Sequence, residues 1–276
     1  MKVTFYGTRG STPVAEKDFS EFGGNTSSIL ITFDNGRIAI LDAGTGIRKL
    51  GNDLLTHSTE QYDNIYIGLS HTHWDHIQGF PFFKPAYDPR RHFTLAIYGR
   101  EKHHHDLENI FAAQMQSDFF PVPLNKMGAV FTFWQPDMPS YTTPSGVMIM
   151  ASRHNHPGDA YGYRITEGRK TLVYCTDVEH QNGIDPGVVA LSRNADLLIH
   201  DAQYTPDELE GKKGWGHSSW EQALAVAEQA GVKRLALFHH DPDHNDAFLL
   251  NVEHECQKRF PGAFLAREGM DVVIED

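Results

Sequence analysis

At 276 residues the chain is long enough for one large domain with an ample core, and its formal charge of −12 argues against sequence-independent binding along a nucleic-acid backbone, which needs clustered Lys and Arg. Apolar content of 40%, charged content of 22% and 14 prolines spread along the chain exclude disorder and collagen-like repeats. Met1 to Pro13 lacks the apolar run of a secretory signal, no stretch approaches the roughly 18 apolar residues of a spanning helix, and only Cys175 and Cys256 are present, so the expectation is a cytoplasmic protein without disulfides and without a membrane partner.

Strands are predicted at Lys2 to Tyr6, Ser28 to Phe33, Arg37 to Leu41 and Ile65 to Leu69, where β-branched and aromatic residues are bounded by Gly, Asp or Asn. Asp34-Asn35-Gly36 reads as a hairpin turn. A helix over Gly46 to Leu55 puts Ile47, Leu50 and Leu54 on one face. After a strand at Thr94 to Tyr98 the pattern loosens between Glu101 and Thr143, where Pro121, Pro123, Pro136 and Pro139 mark an excursion from the core that could form a lid. Within it, Phe119-Phe120-Pro121-Val122-Pro123 suits stacking on a base or a homodimer contact. Further strands are expected at Val147 to Ser152, Tyr161 to Thr166, Leu172 to Thr176, Asp196 to His200, Arg234 to Phe238 and Asp271 to Ile274. A second helix runs from Ser219 to Ala230, with Trp220, Ala223, Leu224 and Ala227 at helical spacing and Ser218 with Glu221 as its capping box.

Chemistry crowds one strand end, where Ile65 to Ser70 runs into His71-Thr72-His73-Trp74-Asp75-His76. In an extended chain alternate side chains share a face, so His71 and His73 can converge on one cation while Asp75 and His76, past the turn, face a second. Imidazole and carboxylate suit zinc, with manganese or iron also feasible.

This H-x-H-x-D-H run resembles the signature of the metallo-β-lactamase superfamily. The resemblance implies an α+β, four-layer αββα sandwich spanning residues 1–276 as a single domain, with two divalent metal ions between its sheets. The family's remaining ligands match His156 in Asn155-His156-Pro157-Gly158, Asp177 in Tyr174-Cys175-Thr176-Asp177, and His239 in Leu237-Phe238-His239-His240. His154 competes with His156, and His240 with His239; the Pro-Gly context favours His156 and distance from the strand favours His239. Asp42 matches a carboxylate that orients a metal-binding loop, with a turn or cap aspartate as its plainer reading.

Leu198 to Gln203 and Trp215 to Ser219 resemble the acidic and histidine motifs of the branch holding transfer-RNA 3′-processing nucleases and phosphonate-pathway cyclic phosphodiesterases, with Asp201 where the nucleases commonly carry glutamate. The implied reaction has a metal-bridging hydroxide attacking phosphorus, Asp75 ligating one metal and orienting the nucleophile, and His217, held by Asp201, protonating the leaving alkoxide. A helix N-terminus immediately after His217 would favour a phosphate there. The 24 residues from Asp177 to Asp201 leave no room for the nucleases' long basic arm, so a cyclic nucleotide or other small phosphodiester is the expected substrate, with no stable nucleic-acid complex. A lactonase, β-lactamase or thioesterase, and a non-catalytic ligand sensor, are the alternatives. His103-His104-His105 reads as polar surface, Cys175 as a core residue, and Gly7 to Ser11 and Gly23 to Ser27 as turns that could offer backbone donors and the Arg9 cation.

Overall fold

The computed structural model describes residues 1–56, 64–98, 106–136 and 138–276, and the three consecutive histidines at 103–105 lie outside them. Two seven-stranded mixed sheets stack face to face with helices on their outer sides. The first contains β1 (Lys2–Gly7), β2 (Ser28–Thr32), β3 (Ile38–Leu41), β4 (Asn64–Gly68), β5 (His92–Ala96), β6 (Val130–Trp134) and β14 (Asp271–Val273), in the order β14-β1-β2-β3-β4-β5-β6. The second contains β7 (Ser140–Thr142), β8 (Met148–His154), β9 (Ala160–Glu167), β10 (Lys170–Cys175), β11 (Leu197–Asp201), β12 (Arg234–Phe238) and β13 (Ala263–Leu265), in the order β13-β12-β11-β10-β9-β8-β7.

Strands buried on both faces explain the continuous apolar runs in the sequence. Along β10, Leu172 and Tyr174 enter the core between the sheets, while Val173 and Cys175 face the outer helices. Along β12, Ala236 and Phe238 point inward and Leu235 and Leu237 outward. The outer cover of this sheet comes from α4 (Pro186–Ser192), α6 (Trp220–Ala230) and α7 (Asp246–Arg259). Over the first sheet, α1 (Ile47–Thr56) buries Ile47, Leu50 and Leu54 as its periodicity requires. Burial pushes the Cys175 thiol up to about 12, as befits a core residue.

Two expectations need correction. The looser segment at residues 101–143 carries α3 (Leu107–Gln114), β6 and β7, and those strands pair as the outermost members of the two sheets. The prolines that suggested irregular chain lie outside both strands, with Pro136 and Pro139 in the connection between them. The capping box of α6 lies one residue later than predicted, formed by Ser219 and Gln222, because Ser218 instead donates its hydroxyl to the Val178 carbonyl and its N–H to Asp201.

Candidate metal centre

The chemistry-bearing loops leave the C-terminal ends of strands along one edge of the sandwich, the position where parallel strands leave a crevice. Asp42 follows β3, His71 to His76 follow β4, His156 follows β8, Asp177 follows β10, Asp201 ends β11 and His239 follows β12. Parallel registers such as Leu41 with Gly68 and Asp201 with Phe238 bring neighbouring exits to a common level. Asp42, Asp177 and His239 all adopt left-handed backbone at φ 58°, 52° and 63°. Each such non-glycine residue costs on the order of 1 kcal/mol, and their clustering marks a site whose geometry the surroundings enforce.

Three overlapping groups of donor atoms result among the described residues: His71, His73 and His156 form one, Asp75, His76, Asp177 and His239 a second, and Asp177 and His239 converge also with Asp201 and His217. The first two carry the residues of the H-x-H-x-D-H run. Asp177 spans both: its Oδ2 lies 3.6 Å from His71 Nε2 and 3.9 Å from His156 Nε2, while its Oδ1 lies 3.2 Å from His76 Nε2 and 3.4 Å from His239 Nε2. A tetrahedral ion with arms of about 2.0–2.1 Å separates its ligand atoms by roughly 3.3 Å. His239 Nε2 stands 3.3 Å from His76 Nε2 and 3.1 Å from Asp75 Oδ2, and His156 Nε2 stands 3.1 Å from His73 Nδ1. The buried His71 Nε2 has no hydrogen-bond partner among the described residues. Both groups therefore fit divalent cations better than they fit one another.

Tautomers point the same way. His76 Nδ1 meets Asp42 at 2.8 Å, His156 Nδ1 meets the Gly216 carbonyl at 2.9 Å, and His239 Nδ1 meets Gln203 Oε1 at 3.0 Å. Donating Nδ1–H to an oxygen leaves each Nε2 lone pair free to face a cation.

The family model described as the Beta-lactamase superfamily domain matches residues 37–240. The chain belongs to the metallo-β-lactamase superfamily. It is a metal-dependent hydrolase of that fold. The sequence is 26% identical to ribonuclease Z of Haloarcula marismortui, covering 100% of this chain and 97% of that enzyme. It is 29% identical to the probable metallo-hydrolase YhfI of Bacillus subtilis over 87% of this chain and 86% of the relative, and the crystal structure of YhfI superposes with a TM-score of 0.71 at 24% identity, covering 98% of both chains. A crystal structure titled as a new diphosphatase from the PhnP family has a TM-score of 0.68 at 20% identity, covering 99% of this chain and 98% of that one.

In this superfamily member Asp201 and His217 adjoin the second group, with His217 Nδ1 2.7 Å from Asp201 Oδ2 and its ring stacked 5.0 Å from that of His239. Burial disfavours a charged His217, yet the Asp201 carboxylate, helped by Asp177 and Asp75, outweighs it and raises the imidazole to about 9. Burial likewise opposes charge on Asp177, but the surrounding His239, His76 and His71 hold its carboxyl well below the usual range. His76, also buried, is held well above the usual histidine value by Asp177, Asp75 and Asp42, so a cation bound here displaces a proton.

The neighbouring candidates point elsewhere. His240 Nε2 meets the Ala266 carbonyl at 2.8 Å, and His154 is buried beside Gly162 and His200, outside both donor groups. Arg9 faces no substrate space: its buried guanidinium donates to the carbonyls of Gly23, Asp241 and His244. Sequence reasoning gave no role at the ligands to Ser11, whose N–H holds Asp75 Oδ2 at 2.8 Å, or to Tyr174, whose hydroxyl holds Asp42 at 2.7 Å. It also overlooked Glu179, whose carboxylate accepts the N–H groups of Gly214 and Gly216 at 2.9 and 2.8 Å. Gln203, Tyr174 and Ser11 all lay within stretches singled out in the sequence, whereas Glu179 did not.

Proposed function

We propose that the protein is a binuclear metallophosphodiesterase acting on a cyclic nucleotide or another small phosphodiester, with His71, His73 and His156 holding one divalent ion, Asp75, His76 and His239 the other, and Asp177 shared by both. Zinc suits the nitrogen and oxygen donors, with manganese and iron as the alternatives. Bound there, the ions supply Lewis-acid charge toward the phosphoryl oxygens and a nucleophile at neutral pH.

The observation that carries phosphoester chemistry is the His217–Asp201 pair beside Asp177. Asp201 occupies Nδ1 of His217, so the proton available for transfer sits on Nε2. Asp201 also accepts from the N–H groups of Asp177, Gln203 and Ser218, which fixes it against rotation. A charged imidazole held in this way donates to a departing alkoxide. Ser11 N–H restrains Asp75, leaving that carboxylate oriented toward His76 and His239.

The chain-long similarity to ribonuclease Z favours a second reading, a nucleic-acid phosphodiester. The net charge of −12 and the short α4 crossover joining β10 to β11 weigh toward the smaller substrate.

Metal-defined protein is expected to hydrolyse cyclic nucleotides and bis-4-nitrophenyl phosphate. His217→Ala should lower kcat by about 10²- to 10⁴-fold where an alkoxide leaves, and far less where 4-nitrophenolate leaves, since that group needs no proton. Equal losses with both leaving groups would remove His217 as the acid. Hydrolysis of lactones, β-lactams or thioesters alone, untouched by the substitution, would overturn the phosphodiesterase reading.

A further inference from the structure

Thr72, between His71 and His73 in sequence, lines two cavities. One, of about 200 Å³, is lined by both histidines; the lining of the other, of about 540 Å³, includes neither. The larger is walled by Trp74, Phe82, Ile110, Phe119 and Phe120. Trp74 is 79% exposed, Phe119 75% and Phe82 55%, and among the described residues only the Phe82–Phe120 pair of this wall, at 5.4 Å, packs ring against ring. Large aromatic side chains left in water around a cavity mark a surface that something covers.

The lining restricts what that is. No charged side chain contributes to it among the described residues, and its polar groups include the amides of Asn109 and Gln114. A flat ring stacks on aromatic faces of this kind, and the amides give the wall groups able to meet polar atoms at a ring's edge. The cavity lies within the 300–1,000 Å³ range typical of small-molecule sites, large enough for a purine.

We propose that this cavity binds a neutral aromatic group of the substrate, of nucleobase class, against Trp74, Phe82 and Phe119 while the attached phosphoester lies at the metal centre. Thr72, which lines both cavities, and Trp74, which lines the larger, flank His73, so the two spaces adjoin at the ligand loop. The assignment rests on the phosphodiesterase reading and adds the feature that selects among phosphodiesters.

Calorimetry on metal-loaded protein compares adenosine 5′-monophosphate with ribose 5-phosphate, which lacks only the base. The expected Kd is about 10- to 100-fold lower for the nucleotide. Phe119→Ala, which removes a stacking face at an exposed position, and Ala113→Trp, which fills the cavity from α3, should each abolish that difference and leave ribose 5-phosphate binding unchanged. Equal affinities in the unaltered protein, or a preference that survives both substitutions, would overturn the proposal. So would hexyl phosphate binding as tightly as the nucleotide, or a dimer that Phe119→Ala dissociates while the two affinities are equal. Because binding is read without turnover, absence of phosphodiester hydrolysis would count against the reaction and not against the cavity.

Discussion

Asp42 is buried and receives hydrogen bonds from four groups: the Ser70 N–H at 2.7 Å, the Ser70 hydroxyl at 2.9 Å, the Tyr174 hydroxyl at 2.7 Å and His76 Nδ1 at 2.8 Å. It caps no helix; its φ of 58° is the backbone turn that lets the carboxylate reach behind the ligand loop. Removing its charge leaves His76 free to rotate or to place its proton on Nε2, where it would compete with the cation. Asp42→Asn is therefore expected to weaken binding at the Asp75–His76–His239 group by about 10- to 100-fold. A chelator-competition titration reads this directly, and an unchanged affinity would relegate Asp42 to a structural turn.

At the scale of elements, the loop between α5 (Pro206–Glu210) and α6 carries His217 and also touches His156 through the Gly216 carbonyl. Gly216 is required there: at φ 89°, a Cβ would stand 2.1 Å from His156 Nδ1. Glu179 clamps this loop through two N–H groups, and its own N–H donates to the Asn155 carbonyl at 2.9 Å, so a single residue ties the His156 and His217 loops to the end of β10. A glutamine has one carbonyl oxygen where the carboxylate has two, and a hydrogen bond to a charged acceptor is worth about 1.5–3 kcal/mol. Glu179→Gln should lower kcat about tenfold through misplacement of His217, with KM and metal stoichiometry little changed. A lower Tm with kcat within about twofold would instead limit Glu179 to loop stability.

At the scale of the whole molecule, no helix among the described residues is long and apolar enough to cross a membrane. Behind the metal edge, His180 and His200 stack at 5.5 Å, and burial chiefly pushes each down to about 4. Their unfolded value is about 6.5, so between pH 6.5 and 4 the unfolded chain binds protons that the folded chain refuses. Stability is fully present above that window, is lost as pH falls through it, and levels off below it, at about 1.4 kcal/mol per pH unit for each histidine. His200→Asn retains a donor toward the Asp201 carbonyl and removes one titration. Urea midpoints from pH 7 to 4.5 should show a shallower decline for this variant than for the unaltered protein, and parallel declines would sink the assignment.

Local periodicity sufficed to read most strands, helices α1 and α6, and the His71 to His76 cluster, because side-chain direction within one element depends only on the spacing of its residues. It failed for α7, which buries only Leu249 and Cys256 and so carries little apolar stripe, and for β6, β7 and β13, which are short or lie toward sheet edges. The family pattern supplied His156, Asp177 and His239 as candidates, but His154 and His240 have nearly the same sequence context. Only the tertiary structure shows which of each pair faces the donor groups, and that Glu179, Ser11 and Tyr174 support them. Those contacts join residues 28 to 164 positions apart, such as Ser70 with Asp42 and His239 with Asp75. Spacing along a chain encodes which face a side chain takes, whereas sheet order and register decide which strand ends meet, and the site is built where they meet.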